Sequence, residues 1–135
     1  NPRAVILSGG PSSVYEKGAP QVAKGFWEWT QSENIPVLGI CYGMQLMVQD
    51  HGGVVAHGNT REYGRKNVEV LGPSKFFPVE FTKKFSAWMS HGDSAEKLPA
   101  GFRITAKSET GSIAAIENSD ARLYGLQLHP EVTHT

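Results

Sequence analysis

The sequence predicts an α/β fold with a mainly parallel central sheet, flanking helices and an antiparallel extension. In the first half, apolar strand-like runs alternate with segments of helical periodicity, which is the order of a parallel sheet. In the second half, short runs with β-like alternation are bounded by turn residues, as in antiparallel hairpins. Fifteen glycines and eight prolines fit many tight connections between short elements.

Two strand–helix units account for the first half. Apolar runs predict buried strands, and apolar residues on one face predict helices that end before Pro36 and at the glycine pair 52–53. The predicted elements are, in order, a buried strand at 4–7, a helix from 22 to about 34, a strand at 37–40 and a helix after Cys41.

The second half is predicted to be a meander of short strands. Each run is rich in apolar or alternating residues and is bounded by turn residues. The predicted strands are 54–57, 68–71, 78–81, 103–106, 113–116 and 123–128.

Composition excludes several classes of function. The 135 residues suffice for one domain, and thirteen basic residues balance thirteen acidic ones, which disfavours nucleic acid and anionic membranes as partners. No apolar run approaches the ~18 residues of a membrane span. A single cysteine excludes an internal disulfide and suits a reducing, cytoplasmic setting.

That cysteine, Cys41, lies where a nucleophile is expected. It follows the apolar run Val37 to Ile40, precedes a helical pattern, and is flanked by Gly39 and Gly43. This arrangement matches the sharp turn that lifts a nucleophile above a sheet. The helix start is expected to lower the pKa of the Cys41 thiol, because its free amides and positive dipole end favour a thiolate.

A base and its orienting carboxylate are predicted near the end of the chain. Pro130 favours an extended conformation at His129, and residues i and i+2 of an extended segment share a face, so His129 and Glu131 can meet. A lone buried cysteine is more often packing, and a His-Pro pair is more often a turn. The combination of Cys41, His129 and Glu131 nevertheless favours catalysis.

These segments carry a family resemblance. The stretches Gly39–Gln45 and Leu128–Glu131 resemble the two signatures of the class I glutamine amidotransferases, which are Cys-His-Glu glutaminases. Stretches 7–13, 88–93 and 129–135 resemble the glutaminase domains of GMP synthases more than those of anthranilate, carbamoyl-phosphate or CTP synthases. The similarity extends over essentially all 135 residues.

The resemblance implies roles for individual residues. Catalysis falls to Cys41, His129 and Glu131. The implied oxyanion hole uses the amides of Gly10 and Tyr42, and the implied contacts with the substrate glutamine come from Gln45, Ser90, Gly92 and Asp93. His91 is left as a structural residue.

The loop Ser8-Gly9-Gly10-Pro11 has three interpretations. It is an ordinary turn after a strand, a phosphate-binding loop or part of an oxyanion hole. Pro11 removes a backbone donor, and the Asp-Ser pair of pyrophosphatase loops is absent. The oxyanion hole fits the resemblance, and glycine allows close approach of the backbone to the reacting oxygen.

We expect no metal site. His129, Glu131 and His134 have the spacing of a His-x-Glu motif, but the cysteines of the zinc deaminases are absent. The stretch Arg61–Gly64 is either a solvated turn or, by resemblance, a contact with a synthetase domain.

The resemblance also predicts the reaction and its partners. It implies hydrolysis of L-glutamine through a cysteinyl thioester, with ammonia passed to a synthetase that aminates XMP to GMP. The glutaminase needs no cofactor, while ATP and Mg²⁺ belong to the synthetase domain. Residues 1–135 are expected to be a partial glutaminase domain, cropped at both ends, of an enzyme that dimerises through other regions. The alternatives are another class I glutaminase, a γ-glutamyl hydrolase or a non-catalytic docking module.

Overall fold

The computed structural model describes residues 1–78 and 84–132, except for the side chains of 59 and 60. Its elements, in chain order, are β1 (Val5–Leu7), α1 (Phe26–Ser32), β2 (Val37–Ile40), α2 (Tyr42–Asp50), β3 (Val54–Val70), β4 (Lys84–Lys97), β5 (Arg103–Ser108), β6 (Ile113–Asn118) and β7 (Leu123–Leu126). None of the helices in these ranges is long and apolar enough to cross a membrane.

The described strands form one mixed sheet in the order β1-β2-β7-β6-β5-β3-β4. The pairs β1/β2 and β2/β7 are parallel. The remaining neighbours pair antiparallel. The α/β class, with a parallel part and an antiparallel extension, is confirmed, and the extension is the larger part of the described sheet.

The first helix is shorter than predicted. It begins at Phe26 because Gly25, at its N-cap, has a φ of 85°, a left-handed conformation that interrupts a right-handed helix. Val22 and Ala23 therefore precede α1. The apolar pattern remains meaningful, since Val22 still packs against the buried cluster around Met44 and Ile116.

The second helix follows its prediction and lies at the centre of the molecule. Residues Tyr42 to Val48 are all buried. Met47 packs against Val37 of β2 and Leu123 of β7, so the helix covers the parallel part of the sheet. Its N-terminus is thereby fixed at the end of β2.

Several strands differ from their predictions. The predicted strands at 54–57 and 68–71 are parts of the single long β3, and β4 was not predicted at all. The strand predicted at 78–81 lies mostly outside the described residues. The prediction of a buried first strand was wrong, because β1 forms an edge of the described sheet and Ile6 is 63% exposed.

Candidate active site

Three parallel strands bring the predicted site residues to one edge of the sheet. Because β1 and β7 both lie beside β2 and run parallel to it, their carboxyl ends meet at the same edge. The loop 8–13 follows β1, Cys41 follows β2, and His129 lies three residues beyond β7. This edge is where ligands bind in open α/β sheets.

Cys41 occupies a strained turn between β2 and α2. Its φ of 54° and ψ of −107° are unusual for a residue with a side chain, and it is the N-cap of α2. The flanking glycines allow this tight approach. A Cβ at Gly39 would lie 2.6 Å from the backbone of Gly43, and one at Gly43 would lie 2.0 Å from the carbonyl oxygen of Leu7.

The thiol of Cys41 is buried and hydrogen-bonded. Sγ donates to the carbonyl oxygen of Ser90 at 3.6 Å and accepts from Nε2 of Gln127 at 3.4 Å. Burial raises the pKa of the Cys41 thiol, and it outweighs the lowering effect of the hydrogen bonds from the Tyr42 amide and Gln127. The predicted lowering of this pKa was therefore wrong, because desolvation of the thiolate exceeds the gain from the helix start.

His129 and Glu131 meet as predicted, although by a different backbone route. The predicted strand 123–128 ends at Leu126, and the chain turns after His129, whose carbonyl accepts from the Val132 amide at 3.4 Å. Nδ1 of His129 is 2.9 Å from Oε2 of Glu131. A carboxylate there keeps the hydrogen on Nδ1 and leaves Nε2 to take up a proton.

The hydrogen bond also affects Glu131. Burial acts to raise the pKa of this carboxyl, but the bonds from His129 and from the backbone lower it below its usual value. Glu131 is therefore ionised at neutral pH, as an orienting carboxylate must be.

Gly9 marks the point where the nucleophile and the base converge. A Cβ built there would lie 3.2 Å from Cε1 of His129 and 3.4 Å from Cβ of Cys41. A side chain there would crowd His129 and contact Cys41. The glycine thus lets the loop after β1 pass directly beside them.

A cavity of about 220 Å³ opens beside Cys41. Six of the predicted site residues line it, namely Gly10, Cys41, Gln45, Ser90, Gly92 and Asp93. The other three, Tyr42, His129 and Glu131, lie outside this lining. A Cβ at Gly10 would meet no atom within 4 Å, so its backbone borders open space. The cavity has the size of a small polar ligand.

A chain of amide groups connects the cavity wall to the nucleophile. Nε2 of Gln45 donates to the Asp93 carbonyl at 3.2 Å and to Oε1 of Gln127 at 3.0 Å. Both amide hydrogens of Gln45 are used, which leaves its Oε1 to accept from a ligand. Sequence reasoning missed Gln127, although its i, i+2 spacing from His129 was a usable signal.

The carboxylate of Asp93 holds the loop after β1. It accepts hydrogen bonds from the hydroxyls of Ser13 and Tyr15, and Nδ1 of His57 lies 3.5 Å away. These contacts fasten residues 13–15 to β4. Asp93 was predicted as a substrate contact only, so its role in the loop was also missed.

Part of the stretch Arg61–Gly64 is unavailable to a partner. Glu62 is fully buried, while Arg61 and Tyr63 are exposed. The sequence showed no reason for this burial, because the hydroxyl groups that bind Glu62 belong to residues 108–112, which are far along the chain.

Comparisons with known proteins identify the family. The family model for glutamine amidotransferase class-I matches residues 1–135. The glutamine-hydrolyzing GMP synthases of Brachyspira hyodysenteriae and Thermosipho melanesiensis are 48% and 51% identical over 99% and 100% of this chain. The chain spans 25% of the length of each relative.

Solved structures show the same architecture. The structure of a protein assigned as a GMP synthase subunit from Thermoplasma acidophilum has a TM-score of 0.82 and 28% identity. The match covers 98% of this chain and 65% of the Thermoplasma chain. The structure of a glutamine amidotransferase from Thermotoga maritima has a TM-score of 0.78 and 29% identity. The match covers 94% of this chain and 56% of the Thermotoga chain.

Proposed function

This chain belongs to the class I glutamine amidotransferase family, and from that premise we propose that it hydrolyses L-glutamine through a thioester on Cys41. The observation that carries the proposal is the position of Cys41. It lies on a strained turn at the wall of the cavity, and it shares Gly9 as a neighbour with the hydrogen-bonded pair His129–Glu131.

The first half of the reaction forms the thioester. Cys41 passes its proton to Nε2 of His129 as Sγ bonds to the side-chain amide carbon of glutamine. The carbonyl oxygen becomes an oxyanion, which the amides of Gly10 and Tyr42 stabilise. His129 then protonates the departing nitrogen, the carbon–nitrogen bond breaks, and ammonia leaves.

The second half releases glutamate. His129 takes a proton from a water molecule, whose oxygen attacks the thioester carbon. A second oxyanion forms in the same place and collapses as the carbon–sulfur bond breaks. The proton returns to Cys41, which restores the buried thiol, and Glu131 holds the ring of His129 in one tautomer throughout.

The cavity wall supplies groups for the amino-acid end of the substrate. Gln45 offers Oε1 to the ammonium, and the chain at Ser90 and Gly92 offers backbone groups. Asp93 contributes negative charge near the ammonium while it also binds Ser13 and Tyr15. No metal or organic cofactor enters this half-reaction.

We further propose that the ammonia is used to aminate XMP to GMP, in an ATP- and Mg²⁺-dependent reaction on a synthetase domain or subunit. The names of the relatives, together with identities near 50%, support this acceptor. The chain corresponds to about a quarter of those relatives, so residues 1–135 are proposed as part of the glutaminase domain. The complete enzyme is proposed to be a homodimer.

The test combines this chain with its cognate synthetase in the full-length enzyme. We expect glutamine, XMP and ATP to yield GMP and glutamate. Cys41→Ala should abolish this activity and retain synthesis from added ammonium. Glutamate release without transfer to XMP would instead favour another class I glutaminase or a γ-glutamyl hydrolase. A chain that releases no glutamate would favour a docking module.

A further inference from the structure

Glu62 is a buried carboxylate with no part in the reaction described above. It is 0% exposed and lies on β3 in register with His91 of β4. It accepts hydrogen bonds from four side chains, those of His91, Ser108, Thr110 and Ser112. Burial acts to raise the pKa of Glu62, but these bonds lower it to about 2, so the group remains ionised.

His91 connects this carboxylate to the cavity. Its Nε2 is 2.8 Å from Oε1 of Glu62, and its Nδ1 is 2.9 Å from the carbonyl oxygen of Asp93. A carbonyl and an ionised carboxylate only accept hydrogen bonds, so both ring nitrogens must donate. The His91 side chain is 1% exposed, so its contact with Glu62 is buried.

The hydrogen bonds continue from Asp93 to the nucleophile. The carbonyl that accepts from His91 also accepts from Gln45, which binds Gln127, which in turn donates to Sγ of Cys41. Because the carbonyl is purely an acceptor, it fixes which way the Gln45 amide points. That orientation in turn fixes the amide of Gln127.

We propose that Glu62 and His91 are positioning residues, which hold the Asp93 carbonyl so that Gln45 presents its Oε1 to the substrate. The proposal rests on the proposed hydrolysis of glutamine. Since Gln45 binds the amino-acid end and not the reacting amide, loss of the pair weakens binding in the ground state and the transition state alike. Such a loss raises KM more than it lowers kcat.

Glu117 offers a matched control. It is also a buried carboxylate, 1% exposed, and it accepts from the hydroxyl of Ser74, the amide of Lys75 and the guanidinium of Arg103. It lies on β6 and is absent from the lining of the cavity. Replacing Glu117 shows how the loss of a buried carboxylate away from the cavity affects the fold and the kinetics.

The experiment measures glutaminase kinetics of the protein with Glu62→Gln, His91→Asn, both together, and Glu117→Gln. Glu62→Gln keeps the size of the side chain and removes its charge. We expect each single change at 62 or 91 to raise KM for glutamine about tenfold, with kcat within about threefold. Glu117→Gln should change KM less than about twofold.

The double variant shows whether Glu62 acts through His91. If it does, Glu62→Gln has no further effect on KM in the His91→Asn background. The proposal would be overturned if Glu62→Gln raised KM equally in the His91→Asn background. An unchanged KM in the Glu62→Gln single variant would also overturn it. An inactive wild type with an intact fold would instead overturn the proposed function, and this inference with it.

A spectroscopic measurement covers variants that fail to fold. In the wild-type chain labelled with ¹⁵N and ¹³C, His91 should show a hydrogen on each ring nitrogen, as its two hydrogen bonds require, with its signals assigned through the backbone of the wild-type protein. A ring nitrogen of His91 without a hydrogen would exclude one of the two hydrogen bonds and contradict the proposal.

Discussion

Cys41 is the residue on which the proposed chemistry depends, and its resting form is a protonated thiol. Burial raises the pKa of Cys41, and Sγ donates to the Ser90 carbonyl. The thiolate must therefore arise by proton transfer during the reaction. This protects the cysteine from unrelated electrophiles, because only the thiolate is a strong nucleophile.

The reactivity of this thiol should follow from its raised pKa. We expect the rate of alkylation by iodoacetamide to rise with pH to a midpoint above that of the same chain unfolded in denaturant. A raised pKa means that the unreactive thiol persists to higher pH in the folded state. A midpoint below that of the unfolded chain would show that the helix start outweighs burial.

The base and its orienting carboxylate should differ in importance. We expect His129→Ala to lower kcat about 10³-fold, since it removes the proton acceptor. Glu131→Gln should lower kcat only about 10- to 100-fold, because the side chain is 59% exposed and its amide can turn to present Oε1 to Nδ1.

Steady-state glutaminase kinetics on both variants check this order. Glu28→Gln, an exposed change on α1, is the control and should leave kcat unchanged. A Glu131→Gln enzyme as inactive as His129→Ala would show that the carboxylate does more than orient the ring.

The grouping of Cys41, His129 and Glu131 could be predicted from sequence because these residues lie in short, specific motifs. The contacts of Glu62 and Gln127 could not be predicted in the same way. Their partners, such as Ser108 and Gln45, lie 46 and 82 positions away, and only the sheet brings them together. The error in the pKa of Cys41 has the same origin, since burial depends on the packed structure.

At the scale of elements, local signals predicted α2 and most of the short strands. They failed for β4, whose segment has no β-branched residues and many polar ones. Pairing with β3 along most of its length overrides that weak propensity. The buried alternation Ala87, Met89, His91 was the one usable signal.

The contact between α2 and β1 should be the most sensitive point of the fold. We expect Gly43→Ala to destabilise the chain by about 3 kcal/mol, because its Cβ would lie 2.0 Å from the carbonyl oxygen of Leu7. A resulting shift of the turn by about 1 Å should lower kcat about 100-fold. Urea unfolding and glutaminase kinetics measure both effects.

The opposite end of the same helix provides the control. Gly52 has a φ of 95° and open space around an added Cβ, and asparagine tolerates that backbone conformation. Gly52→Asn should change stability by less than about 1 kcal/mol. Equal effects of the two substitutions would mean that the close contact at Gly43 is relieved without cost.

At the scale of the whole molecule, the site exists because of strand order. The carboxyl ends of β1, β2 and β7 lie side by side, although β7 is the last of the described strands in chain order. The sequence predicted the class of fold, but periodicity does not determine which strands are neighbours. The position of His129 near Cys41 therefore results from the order of strands in the sheet, and no single segment of the sequence determines it.

The most direct test of the central claim is a search for the thioester. The protein is mixed with glutamine, quenched in acid within the first turnovers, digested and examined by mass spectrometry. We predict a γ-glutamyl group on the peptide that carries Cys41, and its loss when hydroxylamine cleaves the thioester. Glutamate release at the full rate with an unmodified Cys41 peptide, or continued release by Cys41→Ala, would contradict the proposed mechanism.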